Sequence, residues 1–276
     1  MIRIQSDPAR TARRLARLEE YVHRNLIADG TFICQHHEAC RASRPQAFYE
    51  GQLSHVGKHY DLTVNGRDVR IVIVGQEYGQ HYRLVSLRAR TTMIEGSAAL
   101  KFGKRNPHMA GTTSILRLLL GREAGAGRKG EGLFTDRAQP DHIFDGFALV
   151  NALLCTALKE PPTTGAGKGY SSGLMRRRCP KTHFRPTMEI LEPTVIVAEG
   201  QGVRRWIARA LGLPPRPRSS TLDVADLPGR PEVLTFDHPS APGSGWWGRS
   251  SRSEYLTRVV APAIRGWRYR TQRTTV

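Results

Sequence analysis

The sequence predicts an α/β protein with a doubly wound, largely parallel sheet. Short β-branched runs read as strands buried on both faces, helical-period patterns fill the intervals between them, and a Gly or polar residue lies near or just after the end of each run. In chain order, Leu15, Leu18, Tyr21, Val22 and Leu26 fall at helical spacing among arginines, predicting a basic amphipathic helix over about 8–26. ValArgIleValIleValGly at 69–75 reads as a buried strand running into a loop. A helical pattern follows at Thr112–Leu120, then an apolar run from Phe144 to Leu154 that carries Asn151 near its end. Phe184–Leu191 reads as helix, ThrValIleValAla at 194–198 as strand, and the segment from Val203 to Leu211 as helix. GluValLeuThrPhe at 232–236 is the fourth strand, and Arg265–Arg273 heads a basic tail over about 265–276. The Pro/Gly-rich stretches read as loops within one domain spanning 1–276, and no repeat is present.

Forty-two Lys and Arg against 24 Asp and Glu give a formal charge of +18. Such an excess favours a phosphate backbone, so nucleic acid is the leading partner class. Arginine dominates, and its planar donor fork suits phosphate. Trp267 and Tyr269 alternate with Arg265, Arg268 and Arg270, a pattern that fits either a solvated basic tail or a segment lying on nucleic acid by charge and stacking. With no secretory leader and no long apolar run, the expectation is a soluble, monomeric, cytoplasmic protein with no membrane partner; the Arg-rich, Lys-poor composition suits a bacterial, nucleoid-associated one.

Cys34, Cys40, Cys155 and Cys179 form two pairs far apart in the chain, a spacing unlike a small disulfide scaffold or a compact zinc finger. Two readings stand: four thiolates meeting at an iron-sulfur or zinc site, with His36 and His37 nearby as further donors, or four small buried residues.

In a doubly wound sheet, ligands collect beyond the carboxyl ends of the strands. That rule brings Gln76, Glu77, Asn151 and His238 to one rim.

Four ordered segments give those residues a context: GlyGlnGluTyrGly at 75–79, ProHisMetAlaGly at 107–111, Asn151 with Cys155, and HisProSer at 238–240. In this order, and with two Cys before the first motif, one after the Asn and one before the next helix, the chain resembles the uracil-DNA glycosylase superfamily, especially its iron-sulfur branches. The resemblance implies a three-layer α/β/α sandwich around a four-stranded parallel sheet, with a mainly structural 4Fe-4S cluster on Cys34, Cys40, Cys155 and Cys179. A zinc-stabilised nucleic-acid-binding protein is the alternative metal reading, and a catalytically silent nucleic-acid-binding member the alternative function. The chain departs from the family at several points. Five residues separate the first Cys pair where a closer pair is usual, Glu77 stands where the enzymes without a cluster carry Asp, and the Pro common in that motif is missing. His108 stands where Phe is expected, and the basic segment between Gly79 and Pro107 is unmatched.

The implied chemistry is hydrolysis of the N-glycosidic bond of a uracil flipped from double- or single-stranded DNA, the first step of base-excision repair. Glu77 is expected to orient water and oppose the cationic sugar, and His238 to donate to uracil O2 as charge builds there. The Asn151 amide offers an acceptor to N3–H and a donor to O4, a pairing that cytosine reverses. His108 is expected to stack on the base, while Gln76 and Tyr78 shape the pocket, Tyr78 against the place of a thymine methyl. Ser240 and Ser244 are candidate phosphate contacts, and Trp246, Trp247 or Arg249 candidate wedges or phosphate contacts. No lysine is placed to act as a nucleophile for strand cleavage.

Overall fold

The computed structural model describes residues 2–44, 47–125, 131–134, 141–160, 169–215 and 221–273. It is a mixed α/β structure whose main sheet has six strands. The inner four, Phe147–Asn151, Ile71–Gly75, Val195–Glu199 and Glu232–Phe236, lie side by side in that order and run parallel. His55–Val56 pairs antiparallel with Phe147–Asn151 at one edge, and Leu222–Val224 antiparallel with Glu232–Phe236 at the other. The sheet is therefore six-stranded and mixed, where a four-stranded parallel one was expected. The two added strands are short edge segments of two and three residues. Among the described residues, one three-stranded and two two-stranded sheets lie outside it.

The inner strands carry apolar side chains on both faces, and alternate residues enter separate cores. Val72, Val74, Ala148, Val150, Ile196 and Ala198 join Leu18, Met188, Leu191, Val203 and Ile207 in one. Ile71, Ile73, Phe147, Leu149, Val195 and Val197 join Ile115, Leu116, Leu119, Ile264 and Trp267 in the other. Truncating a fully buried member such as Ile73 or Ile196 to Ala costs about 2–5 kcal/mol.

The first helix spans Pro8–Asn25, with the Asp7 side chain accepting from Arg10 N–H and Pro8 in the first turn. Its Arg14 is buried against Asp61 and Glu192, so that part of the basic face belongs to the interior. At the other end the expected tail is a helix, Ala261–Arg273. Trp267 is buried, Arg265 pairs with Glu123 and Arg270 with Glu232, while Tyr269 is exposed; residues 274–276 lie outside the described residues. Among the described residues no helix is long and apolar enough to cross a membrane.

Candidate active site

At the carboxyl ends of the inner strands lies a cleft of about 780 Å³, within the range of small-molecule sites. It is lined by Gln76, Glu77, Tyr78, His108, Asn151, His238 and Ser240, together with Arg90 and Met93. Every expected catalytic and base-binding residue thus reaches one space. Register explains part of this, because Gly75 pairs with Asn151 across adjacent parallel strands, so both strands end at the same level.

The loop after Gly75 is held from below by Gln52, which is fully buried. Gln52 Nε2 donates to the carbonyls of Gln80 and Tyr82, at 2.9 and 2.8 Å. Thr156 Oγ1 donates to Gln52 Oε1 and accepts from Gly79 N–H. Glu77 accepts from Gln76 Nε2 at 2.9 Å, from Ala157 N–H at 3.2 Å and from Ser171. A Cβ at residue 169 would stand 2.2 Å from its Oε1, so a larger residue there would displace the carboxyl from this position. Burial pushes the Glu77 pKa up to about 7; the three hydrogen bonds and the charge of Arg176 restrain the rise.

Asn151 is buried, and its carboxamide makes no hydrogen bond to a described residue, which leaves donor and acceptor for a ligand in the cleft. His238 follows the Glu232–Phe236 strand. Its Nδ1 accepts from Ser240 N–H at 3.1 Å, so the neutral ring carries its proton on Nε2. Burial, with His108 beside it, pushes its pKa down to about 4.

His108 opens the helix Pro107–Leu119, whose cap Asn106 accepts from Met109 N–H. Its Nε2 lies 2.6 Å from Glu199 Oε2, and its ring stacks on His238 with centroids 5.2 Å apart. The expected base-stacking residue is therefore already paired with a carboxyl and stacked on a second imidazole. Gly111 permits the close approach of this helix to the HisProSer turn, since a Cβ there would meet Pro239 at 2.5 Å.

The residues after that turn divide. Trp247 is fully buried, with Nε1 donating to Asp237 O at 2.8 Å, so it belongs to the core and is neither a wedge nor a nucleic-acid contact. Trp246 is the exposed one, in a left-handed turn at φ 46°, with the exposed Arg249 guanidinium 4.8 Å from its ring centre. Ser244 lies outside the cleft and donates to Ala241 O.

Three contributors escaped sequence reasoning. Glu199 is fully buried at the end of its strand; its only signal was an acid terminating an apolar run. Gln52 lies in a segment with no readable period. Arg90, in the helix Leu87–Ala99, is buried with its guanidinium 3.8 Å from the Tyr78 ring centre, and its Nε has no hydrogen-bond partner in the described structure. Tyr78 Oη in turn donates to Met93 Sδ.

On the opposite side of the Asn151 strand end, Cys34, Cys40, Cys155 and Cys179 line one cavity of about 20 Å³ with His36, His37 and His183. Three remote segments, around 32–40, 153–155 and 175–183, thus meet. Leu154 N–H donates to Cys179 Sγ at 3.3 Å, His36 N–H to Cys34 Sγ at 3.4 Å, and Gly51 N–H to Cys155. Such amide bonds suit thiolates of a cluster. Cys34 Sγ also lies 3.1 Å from His183 Nε2. Burial raises all four thiol pKa values, that of Cys179 to about 12, so the thiols are neutral unless a cation is bound. Among the described residues no three His, Cys, Asp or Glu side chains form a group ready to hold a metal ion, so the four side chains would have to close around it. The donor set fits a four-thiolate metal or iron-sulfur group.

Compared with known proteins, the chain matches no family model and no curated protein.

Proposed function

We propose that the protein is a monofunctional DNA glycosylase that flips uracil out of DNA and hydrolyses its N-glycosidic bond, within a three-layer α/β/α fold. The observation that carries this reading is the convergence of Glu77, Asn151 and His238 on one cleft at the strand ends. A free Asn carboxamide suits the uracil edge, and an Nε2–H donor in a neutral, buried imidazole suits the oxygen on which negative charge develops. A carboxyl that titrates near neutrality suits a group that must accept a proton from water or face a cationic sugar. Four thiols lining one cavity support a 4Fe-4S cluster on Cys34, Cys40, Cys155 and Cys179 as a structural tie, with zinc as the alternative. Ser240 and Arg249 are the proposed phosphate contacts, and Trp246 the wedge in place of Trp247.

A catalytically silent nucleic-acid-binding role is favoured by one observation: Glu77 is already engaged by Gln76, Ala157 and Ser171. The test is cleavage of a labelled uracil-containing oligonucleotide followed by alkali, with Glu77→Gln and His238→Ala beside wild type. Product from wild type that is lost in both variants supports the glycosylase; binding without product supports the silent role. A brown protein absorbing in the visible carries the cluster, and a colourless one favours zinc or no metal.

A further inference from the structure

A second concavity, separate from the candidate active site, lies between the helical run that starts at Gly173 and the helix Gln201–Ile207. Its volume is about 650 Å³, and six cations line it: Arg176, Arg177, Lys181, Arg185, Arg205 and Arg209. Four-residue spacing sets Arg177, Lys181 and Arg185 along one wall, and Arg205 and Arg209 along the other. Trp206 is half-buried between them, with the Arg176 guanidinium 4.6 Å from its ring centre. Arg185 pairs with Glu189 and donates to Ala210 O. Arg177, Lys181, Arg205 and Arg209 have no ion-pair partner among the described residues.

Like charges gathered around one hollow repel one another, and this arrangement becomes favourable when a polyanion enters. The cations form two rows rather than converging on a point, which suits a chain of phosphates better than one small anion. Five of the six are arginines, whose fork matches phosphate oxygens, and an aromatic ring stands between the rows where a base can stack. Arg176 also acts electrostatically on Glu77, so the hollow begins within reach of the candidate active site.

We propose that this hollow binds a single nucleic-acid strand, its phosphates between the two rows and a base on Trp206. The inference does not depend on base excision. The test is fluorescence anisotropy of a labelled oligothymidylate without uracil, titrated over a range of salt concentrations. Arg205→Gln with Arg209→Gln, both exposed positions, is expected to weaken binding at least tenfold with unchanged melting, and to reduce the salt slope by about 1.4, at roughly 0.7 per lost phosphate contact on a single strand. Trp206→Ala is expected to weaken binding at least fivefold with the slope unchanged. Unaltered affinity and slope in the double variant would overturn the proposal. So would competition by tripolyphosphate at the same molar concentration as the oligonucleotide, which marks a site for a small polyanion, or tighter binding of a duplex of equal length.

Discussion

His108 and Glu199 meet at 2.6 Å, Nε2 to Oε2, where the Pro107–Leu119 helix begins and the Val195–Glu199 strand ends. Thr112 Oγ1 donates to the other carboxyl oxygen at 3.3 Å. Glu199 is fully buried, so from this position it holds the imidazole, which stacks on His238. The pair links two motifs that are remote in the chain and sets the angle at which His238 faces the cleft.

Glu199→Ala is expected to leave His108 unanchored. Loss of the buried hydrogen bonds costs about 1–3 kcal/mol in urea unfolding, and a displaced His238 slows the proposed excision by about 10–100-fold. Glu199→Gln, which can still accept from the imidazole, should restore most of the stability. Equal unfolding midpoints for Glu199→Ala and wild type would remove the positioning role.

Glu77 sets a pH dependence of defined sign. Its pKa is raised from 4.5 to about 7 on folding, so the folded chain holds the proton more tightly than the unfolded one. Stability from this group is complete below pH 4.5 and declines as the pH rises towards 7, by about 2–3 kcal/mol. Glu77→Gln is expected to unfold at higher urea than wild type at pH 8 and at the same urea at pH 4. Excision should rise with pH through about 7 in wild type and fall at least about 100-fold in the variant. A pH-independent difference in unfolding would contradict the shift.

Much of this site was legible because strand ends in a parallel sheet are legible. Unbroken β-branched runs mark buried strands, and the polar residues that follow them, Glu77, Asn151 and His238, must gather at one rim. The edge strands His55–Val56 and Leu222–Val224 are too short to show a period. The choice between Trp246 and Trp247 depends on a left-handed turn at the first and on Gly248, where a Cβ would strike Pro107 O, and neither is visible as a pattern. Arg265–Arg273 reads as a tail because frequent arginines mask a helix whose Ile264 and Trp267 face the core. Arg90 gave no signal, since nothing in its sequence neighbourhood says that a cation there is buried.

Arg90 carries the opposite sign of prediction from most buried residues. Its guanidinium lies against the Tyr78 ring with no carboxylate bonded to it among the described residues, and burial lowers its pKa. A buried cation without an anionic partner destabilises the fold. Arg90→Met, similar in length and apolar, is therefore expected to match or exceed wild type in thermal stability while weakening ligand binding in the cleft. Binding is measured with an uncleaved 2′-fluoro-deoxyuridine oligonucleotide. A destabilised variant with full binding would assign Arg90 to the core alone.

His55 predicts the acid limb of stability. It is 1% exposed, donates from Nε2 to Phe144 O and accepts at Nδ1 from Thr91 Oγ1, and burial pushes its pKa down from 6.5 to about 4. The unfolded chain binds the extra proton first, so stability from this group is full above pH 6.5 and is lost as the pH falls towards 4, by about 3 kcal/mol. His238 shifts in the same direction for the same reason. Between pH 6.5 and 4.5 the two histidines oppose Glu77. His55→Gln should flatten the fall of the urea midpoint over this range, and an unchanged slope would show that the imidazole is not held neutral.

Cys155 separates a metal tie from ordinary packing. Its thiol is buried, bonded by Gly51 N–H and raised well above its usual pKa, with Cys179, Cys34 and Cys40 all near enough to act on it. If the four residues are only small core groups, Cys155→Ser buries a hydroxyl in place of a thiol, a change of about 1 kcal/mol that moves the melting temperature by about 2–4 °C in a chain of this size. If they hold one group, the same substitution removes a ligand of the group that ties all three segments together. Metal content per chain should then drop, the visible absorption of a cluster should disappear, and melting should fall well beyond that interval. Cys34→Ser should reproduce the result from the opposite side of the cavity, because the tie fails whichever ligand is lost. Full metal content with a shift inside 2–4 °C in both variants would leave the thiols as packing residues.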